Sequence, residues 1–219
     1  LAPTADFLRD APGLLIGAVL LWDVLFRGQL GVSLTFVEEM YARNVANLFV
    51  SPLRFGEFVT GQVVLSALRA TIGVGGACLA AWLLFHYSIF SLGFPLIAYF
   101  TLLLGFGWAI GFAVSGMILR WGLGAEELAW AAVFLVAAVS GVSCPVAVLP
   151  PWLQAVAYAT PSAHVFEGMR GVLLDGVFRW DRLAWAAALD VVYVAAGVLV
   201  FRAALGHARR HGSLMQMGE

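Results

Sequence analysis

Five long apolar runs constrain this chain more than any other feature: Leu14–Phe36, Phe58–Phe85, Leu92–Leu119, Leu128–Leu149 and Leu183–Phe201. A helix needs about 20 mostly apolar residues to cross the hydrocarbon core of a bilayer. The first run carries only Asp23 and Arg27, the second only Arg69, the fifth only Asp190, and the other two no charge. Each is too long for a buried strand, and the glycines within them are tolerated in membrane helices. The expected fold is all-α, a polytopic helical membrane protein with a single transmembrane domain over residues 1–219.

Composition narrows what such a protein can do. Net charge is −1, so nothing suggests a nucleic-acid footprint. All 12 residues counted as Lys+Arg are Arg. A chain without Lys has no Walker A loop, because the lysine of that loop reaches the nucleotide phosphates. If ATP drives this protein, another chain binds it. Cys78 and Cys144 lie in or beside apolar runs and read as small buried hydrophobes, with no metal site.

Orientation rests on arginine. With residues 37–57 inside, that side holds Arg43, Arg54, Arg120, Arg202, Arg209 and Arg210, against Arg9, Arg170, Arg179 and Arg182 opposite. The bias favours this arrangement. In the third run, Gly107 and Gly111 have the GxxxG spacing that lets helices approach closely. Packing within one subunit is expected for them ahead of a dimer seam.

Two stretches are not spans. In 37–57, Val37, Met40, Val45 and Leu48 recur near a 3.6 period among Glu38, Glu39, Arg43, Asn44 and Asn47. That pattern predicts an amphipathic helix at the membrane surface, broken at Ser51-Pro52. It is either a plain interfacial linker or a docking element. A second turn on that side, 120–128, places Glu126 and Glu127 at the start of the next helix. In 145–176, four prolines divide the chain into pieces too short to cross. Pro151 predicts a helix through Tyr158, and Pro161 another from Ser162. Trp152 and Tyr158 suit an interface belt. His164, Glu167 and Arg170 share roughly one helical face, which gives too few ligands for a metal. A structural Glu167–Arg170 ion pair is favoured over a substrate contact.

"EEMYARNVANLFVSPLRFGEFVTGQ" resembles the cytoplasmic segment of type-2 ATP-binding cassette exporter permeases, through Glu38, Glu39, Arg43, Asn44, Ser51, Pro52, Leu53, Glu57 and Gly61. "PGLL" (12–15) resembles the opening of that family's second span. "LPPWLQAVAYATPSAHVFEGMRGVLLDG" resembles its extracellular re-entrant helices. The resemblance implies a transport subunit rather than an enzyme, multi-pass in a bacterial cytoplasmic (inner) membrane. It would pair with a second permease copy, a homodimer, and with a cytosolic ATPase subunit that binds ATP and Mg. Glu38, Glu39, Arg43, Asn44, Ser51, Pro52, Arg54, Glu57, Arg120, Glu126 and Glu127 would couple to that ATPase. Pro151, Trp152, Pro161, His164, Glu167 and Arg170 would form the outer re-entrant gate. The family has six spans where five are visible, so an N-terminal helix and first span are expected to be missing. Its substrates include lipids, glycolipids, glycans and drugs, and the sequence selects none.

Asp23 and Arg27 are i, i+4 neighbours within an apolar helix. A charge at the bilayer centre costs roughly 2.5–3.5 kcal/mol, so lone lipid-facing placement is disfavoured. Two readings stand: an ion pair packed inside the subunit, or a substrate pathway shared with Gln29 and Ser33. Other classes fit less well. A serine protease needs a His at membrane depth, and His86, His164, His207 and His211 all sit at span ends or outside. An aspartyl dyad of Asp23 and Asp190 lacks any signature. An intramembrane lipid-modifying enzyme and a non-catalytic scaffold are the alternatives.

Overall fold

A computed structural model describes residues 3–42, 54–86, 93–125 and 127–211, of which 3–12, 123 and 211 are described by backbone alone. The described residues form helices and short 3-10 turns, without strands. In chain order these are α1 (Pro3–Tyr41), α2 (Phe55–Phe85), α3 (Phe94–Trp121), α4 (Glu127–Val139), α5 (Pro151–Tyr158), α6 (Pro161–Asp175) and α7 (Trp180–His211). Four stretches are long and apolar enough to cross a membrane: Gly13–Tyr41, Phe55–Phe85, Phe94–Trp121 and Trp180–Arg210. The protein is therefore a polytopic helical membrane protein.

The fourth expected span is corrected. The run 128–149 is apolar throughout, yet its helix stops at Val139 after 13 residues. That gives a rise of about 20 Å, short of the roughly 30 Å hydrocarbon core. The reason is local: Gly141 takes a left-handed φ of 71° and Pro145 follows, so the chain turns and continues as a 3-10 turn at Val146–Val148. Hydropathy alone did not register this turn.

The first boundary shifts as well. Val37–Tyr41 does not begin a separate surface helix; it continues α1. Nothing between Phe36 and Tyr41 breaks the helix, and buried Val37 and Met40 extend its apolar stripe. Residues 43–53 lie outside the described residues. The short helices begin where the prolines predict, α5 at Pro151 and α6 at Pro161, with Thr160 extended before it.

α3 is the spine. Of its membrane-length window 72% is buried, against 17% for α2 and 11% for the window in α7, so the latter two leave most of their surface uncovered by the rest of the subunit. α3 packs between α1 and α7, and glycines set both distances. A Cβ on Gly107 would lie 2.7 Å from the Leu25 carbonyl oxygen, and one on Gly111 2.8 Å from that of Gln29. A Cβ on Gly116 would lie 3.2 Å from Phe201 Cα on α7. The GxxxG face thus packs within the subunit, where close backbone approach drives helix association in lipid. Ser66 on α2 joins the same region, donating to Gly28 O at 3.3 Å while accepting from Trp108 Nε1 at 3.1 Å.

This packing predicts that Gly107→Val separates α1 from α3 and lowers the thermal unfolding midpoint in detergent. Gly76→Ala, on an α2 surface with nothing within 4 Å of the added Cβ, is expected to leave the midpoint unchanged.

Candidate functional site: a candidate coupling end, a mid-membrane pair and a cap

Phe201 organises the end of the bundle where α1 and α3 finish and α2 and α4 start. It is fully buried. Its ring meets Phe36 of α1 edge-on at 5.5 Å, stacks on Phe58 of α2 at 5.7 Å, and lies 5.8 Å from Phe112 of α3. Met40, Leu119, Ala125 and Leu205 extend the same cluster. Such aromatic pairs each add roughly 0.5–1.5 kcal/mol beyond the area they bury. Four helices are therefore tied together beside the candidate coupling residues. Sequence reading missed this cluster, because four phenylalanines on four separated segments carry no signal of convergence.

The coupling residues fall around that cluster. Glu38 is exposed and Glu39 half-buried on the last turn of α1. Arg54 and Glu57 open α2, where the Arg54 backbone N–H donates to Glu57 Oε2 at 2.8 Å. Glu57 therefore caps its own helix. Arg120, exposed, ends α3, and exposed Glu127 begins α4. Arg43, Asn44, Ser51, Pro52 and Glu126 lie outside the described residues.

In mid-membrane, Arg27 Nε donates to Asp23 Oδ2 at 2.7 Å. The guanidinium lies against Gly73 of α2, where a Cβ would collide with it. The side chains stay 40% and 24% exposed for Arg27 and Asp23, so the pair is not sealed inside the subunit. Half-buried Trp22 and Phe26 lie on the neighbouring face of α1, which turns toward α4, where Phe26 meets Trp130 at 6.2 Å. Gln29 and Ser33 do not share the Asp23–Arg27 face. At about 100° per residue they project roughly 120–160° away from Arg27. Both are fully buried, Gln29 Nε2 donating to Ala129 O at 2.9 Å and Ser33 to Gln29 O at 3.0 Å. Arg69 also has a partner, Thr35 Oγ1 at 2.9 Å.

At the opposite end, α6 holds a cap. Glu167 Oε1 accepts from the Val146 backbone N–H at 2.9 Å and from Arg170 Nη1 at 3.1 Å. Arg170, buried, donates through Nη2 to the carbonyls of Gly141 and Val142. The Glu167–Arg170 ion pair is thus present, and it ties α6 to the turn that follows α4. His164 Nε2 lies 2.9 Å from Tyr158 O, and Arg182 Nη1 lies 3.4 Å from His164 Nδ1. Pro151 and Pro161 start the cap helices, and Trp152 at 70% exposure faces outward. Among the described residues no group of three or more His, Cys, Asp or Glu could hold a metal.

A family model described as ABC-2 type transporter matches residues 3–174. The chain belongs to that family. No curated protein matches it. As an ABC-2 permease it is the membrane subunit of an ATP-binding cassette transporter, and permeases of this family work with a cytosolic ATPase.

In this permease Arg170→Met removes one ion pair and two carbonyl contacts. Hydrogen bonds to charged groups contribute about 1.5–3 kcal/mol each when buried, so a marked fall in the thermal midpoint is expected. Glu167→Gln keeps an acceptor for Val146 and is expected to cost less in the same assay.

Proposed function

We propose that this permease exports an amphipathic molecule, drawn from lipid-linked, glycan or drug-like classes, along a path lined by the Asp23–Arg27 face of α1. The observation that carries this reading is the depth and exposure of the pair. Arg27 is the middle residue of the Gly13–Tyr41 span and keeps 40% of its side chain exposed. A guanidinium left open to hydrocarbon at that depth is costly, so the face it lies on is read as a polar compartment or the seam with a second copy. Phe26, next to Arg27 in the chain and packed against exposed Trp130 of α4, would give this path an aromatic border for the apolar part of a substrate.

ATP and Mg would be held on the partner ATPase, in keeping with a chain that has no Lys. That ATPase would dock on Glu38, Glu39, Arg54, Arg120 and Glu127, together with Arg43, Asn44, Ser51, Pro52 and Glu126. Glu57 would serve there through its capping of α2. The Phe201 cluster lies at the same end of the bundle as the described residues among these and would pass their movement to four helices at once. A homodimer in a bacterial cytoplasmic membrane is the assembly this reading adopts, with the cap on the outer side.

The test is Arg27→Ala in vesicles holding the permease and its co-purified ATPase. Transport is expected to fall while the ATPase still co-purifies. Unchanged transport would sink the pathway role of the pair, and failure of any ATPase to co-purify with the wild-type chain would remove the coupling role.

A further inference from the structure

The cap carries a cluster that the transport reading does not use. His164 lies on α6 and is buried, with 7% of its surface exposed. Its two ring nitrogens face different helices: Nε2 toward the Tyr158 carbonyl that ends α5, and Nδ1 toward Arg182 Nη1 near the start of α7. Arg182 in turn lies over the Tyr158 ring, 5.2 Å from its centroid, and the Tyr158 and His164 rings are 5.8 Å apart. Three helices thus meet on one imidazole.

The chemistry of these contacts fixes the protonation state. A carbonyl can only accept, so Nε2 carries the proton; a guanidinium can only donate, so Nδ1 must be bare. Only the neutral imidazole satisfies both. A second proton would sit on Nδ1, leaving two N–H donors opposed across 3.4 Å and a positive charge beside the Arg182 guanidinium.

We infer that His164 is an acid-released latch: neutral, it holds α5 and α7 onto α6, and on protonation it gives up Arg182 and loosens the cap. The other charged groups facing it are Asp181 of α7 and Glu167 of its own helix, whose carboxylates ease protonation without supplying Nδ1 with an acceptor. On the α3 side, the nearby titratable group is Tyr99, which meets Gly168 one turn further along α6.

Burial is the main influence on His164 and lowers its pKa from the ordinary 6.5; the Tyr158 carbonyl raises it, Arg182 lowers it, and Asp181 and Glu167 raise it. The folded value thus lies below the unfolded one. The latch contributes fully above pH 6.5 and weakens as the pH falls from there to the folded value. The inference stands apart from the identity of the substrate and from the role of Arg27.

Hydrogen–deuterium exchange on the full chain in lipid nanodiscs tests it, at about pH 7.5 and about pH 5, either side of the ordinary histidine pKa, with intrinsic rates corrected. Backbone protection across 151–166 and 179–184 is expected to fall in acid, by about tenfold for each unit separating the latched and released pKa values. His164→Gln keeps a donor for Tyr158 and an acceptor for Arg182 but cannot be protonated, and is expected to abolish the acid loss. Arg182→Gln removes the opposing charge and is expected to make that loss shallower; it decides the matter if His164→Gln does not fold. Wild-type protection that is equal at both pH values would overturn the latch. So would a His164→Gln or Arg182→Gln protein that loses protection in acid as the wild type does.

Discussion

The contact on which the rest of the structure depends is the backbone approach of α3 to α1 at Gly107 and Gly111. With no side chain at either position, the ridge of α1 from Leu25 to Gln29 lies directly on α3. In lipid, where apolar side chains gain little by leaving one greasy environment for another, such close packing does much of the work of association. It also aims the other faces of α1. With Leu25, Gln29 and Val32 turned to α3, Asp23 and Arg27 are turned toward α2 and the exterior, and Ser33 is driven inside.

α1 is consequently one rod with two ends of different character. Pro3–Tyr41 is a single helix, so the mid-membrane pair and the acidic turn at Glu38–Glu39 cannot move independently without a kink. At its C-terminal end the rod is held by Phe36 against Phe201, and through Phe201 to α2, α3 and α7. The cap at the other end of the bundle is built differently. It is short helices held by polar contacts of Glu167, Arg170 and His164, and such contacts respond to charge in a way that aromatic packing does not.

Fold class was legible in the sequence because membrane crossing imposes a length and a composition that any reader can measure. The cap helices were legible because Pro151 and Pro161 mark helix starts whatever surrounds them. The stop at Val139 was not. Residues 128–149 stay apolar through the turn, and hydropathy is blind to a left-handed glycine and a following proline within an apolar run. Nor was the face of Gln29 and Ser33: proximity in sequence to Arg27 suggested a shared lining, whereas the glycines of α3 rotate them into the core. The i, i+4 spacing of Asp23 and Arg27 did predict their ion pair, since that contact is local to one helix. The meeting of Phe201 with Phe36, Phe58 and Phe112, and of His164 with Arg182, depends on tertiary packing that no spacing in the chain encodes.

The central claim is that α1 carries movement from the ATPase side to the mid-membrane face. Val19, 63% exposed on that face, accepts a spin label after Val19→Cys, with Cys78→Ser and Cys144→Ser to remove the free thiols. Pulsed electron–electron distance measurement between the two copies of an assembled transporter, with and without ATP trapped on its ATPase, reads the movement directly. The account predicts a distance distribution that shifts on trapping ATP. A distribution that stays the same while ATP is bound and transport proceeds would contradict it.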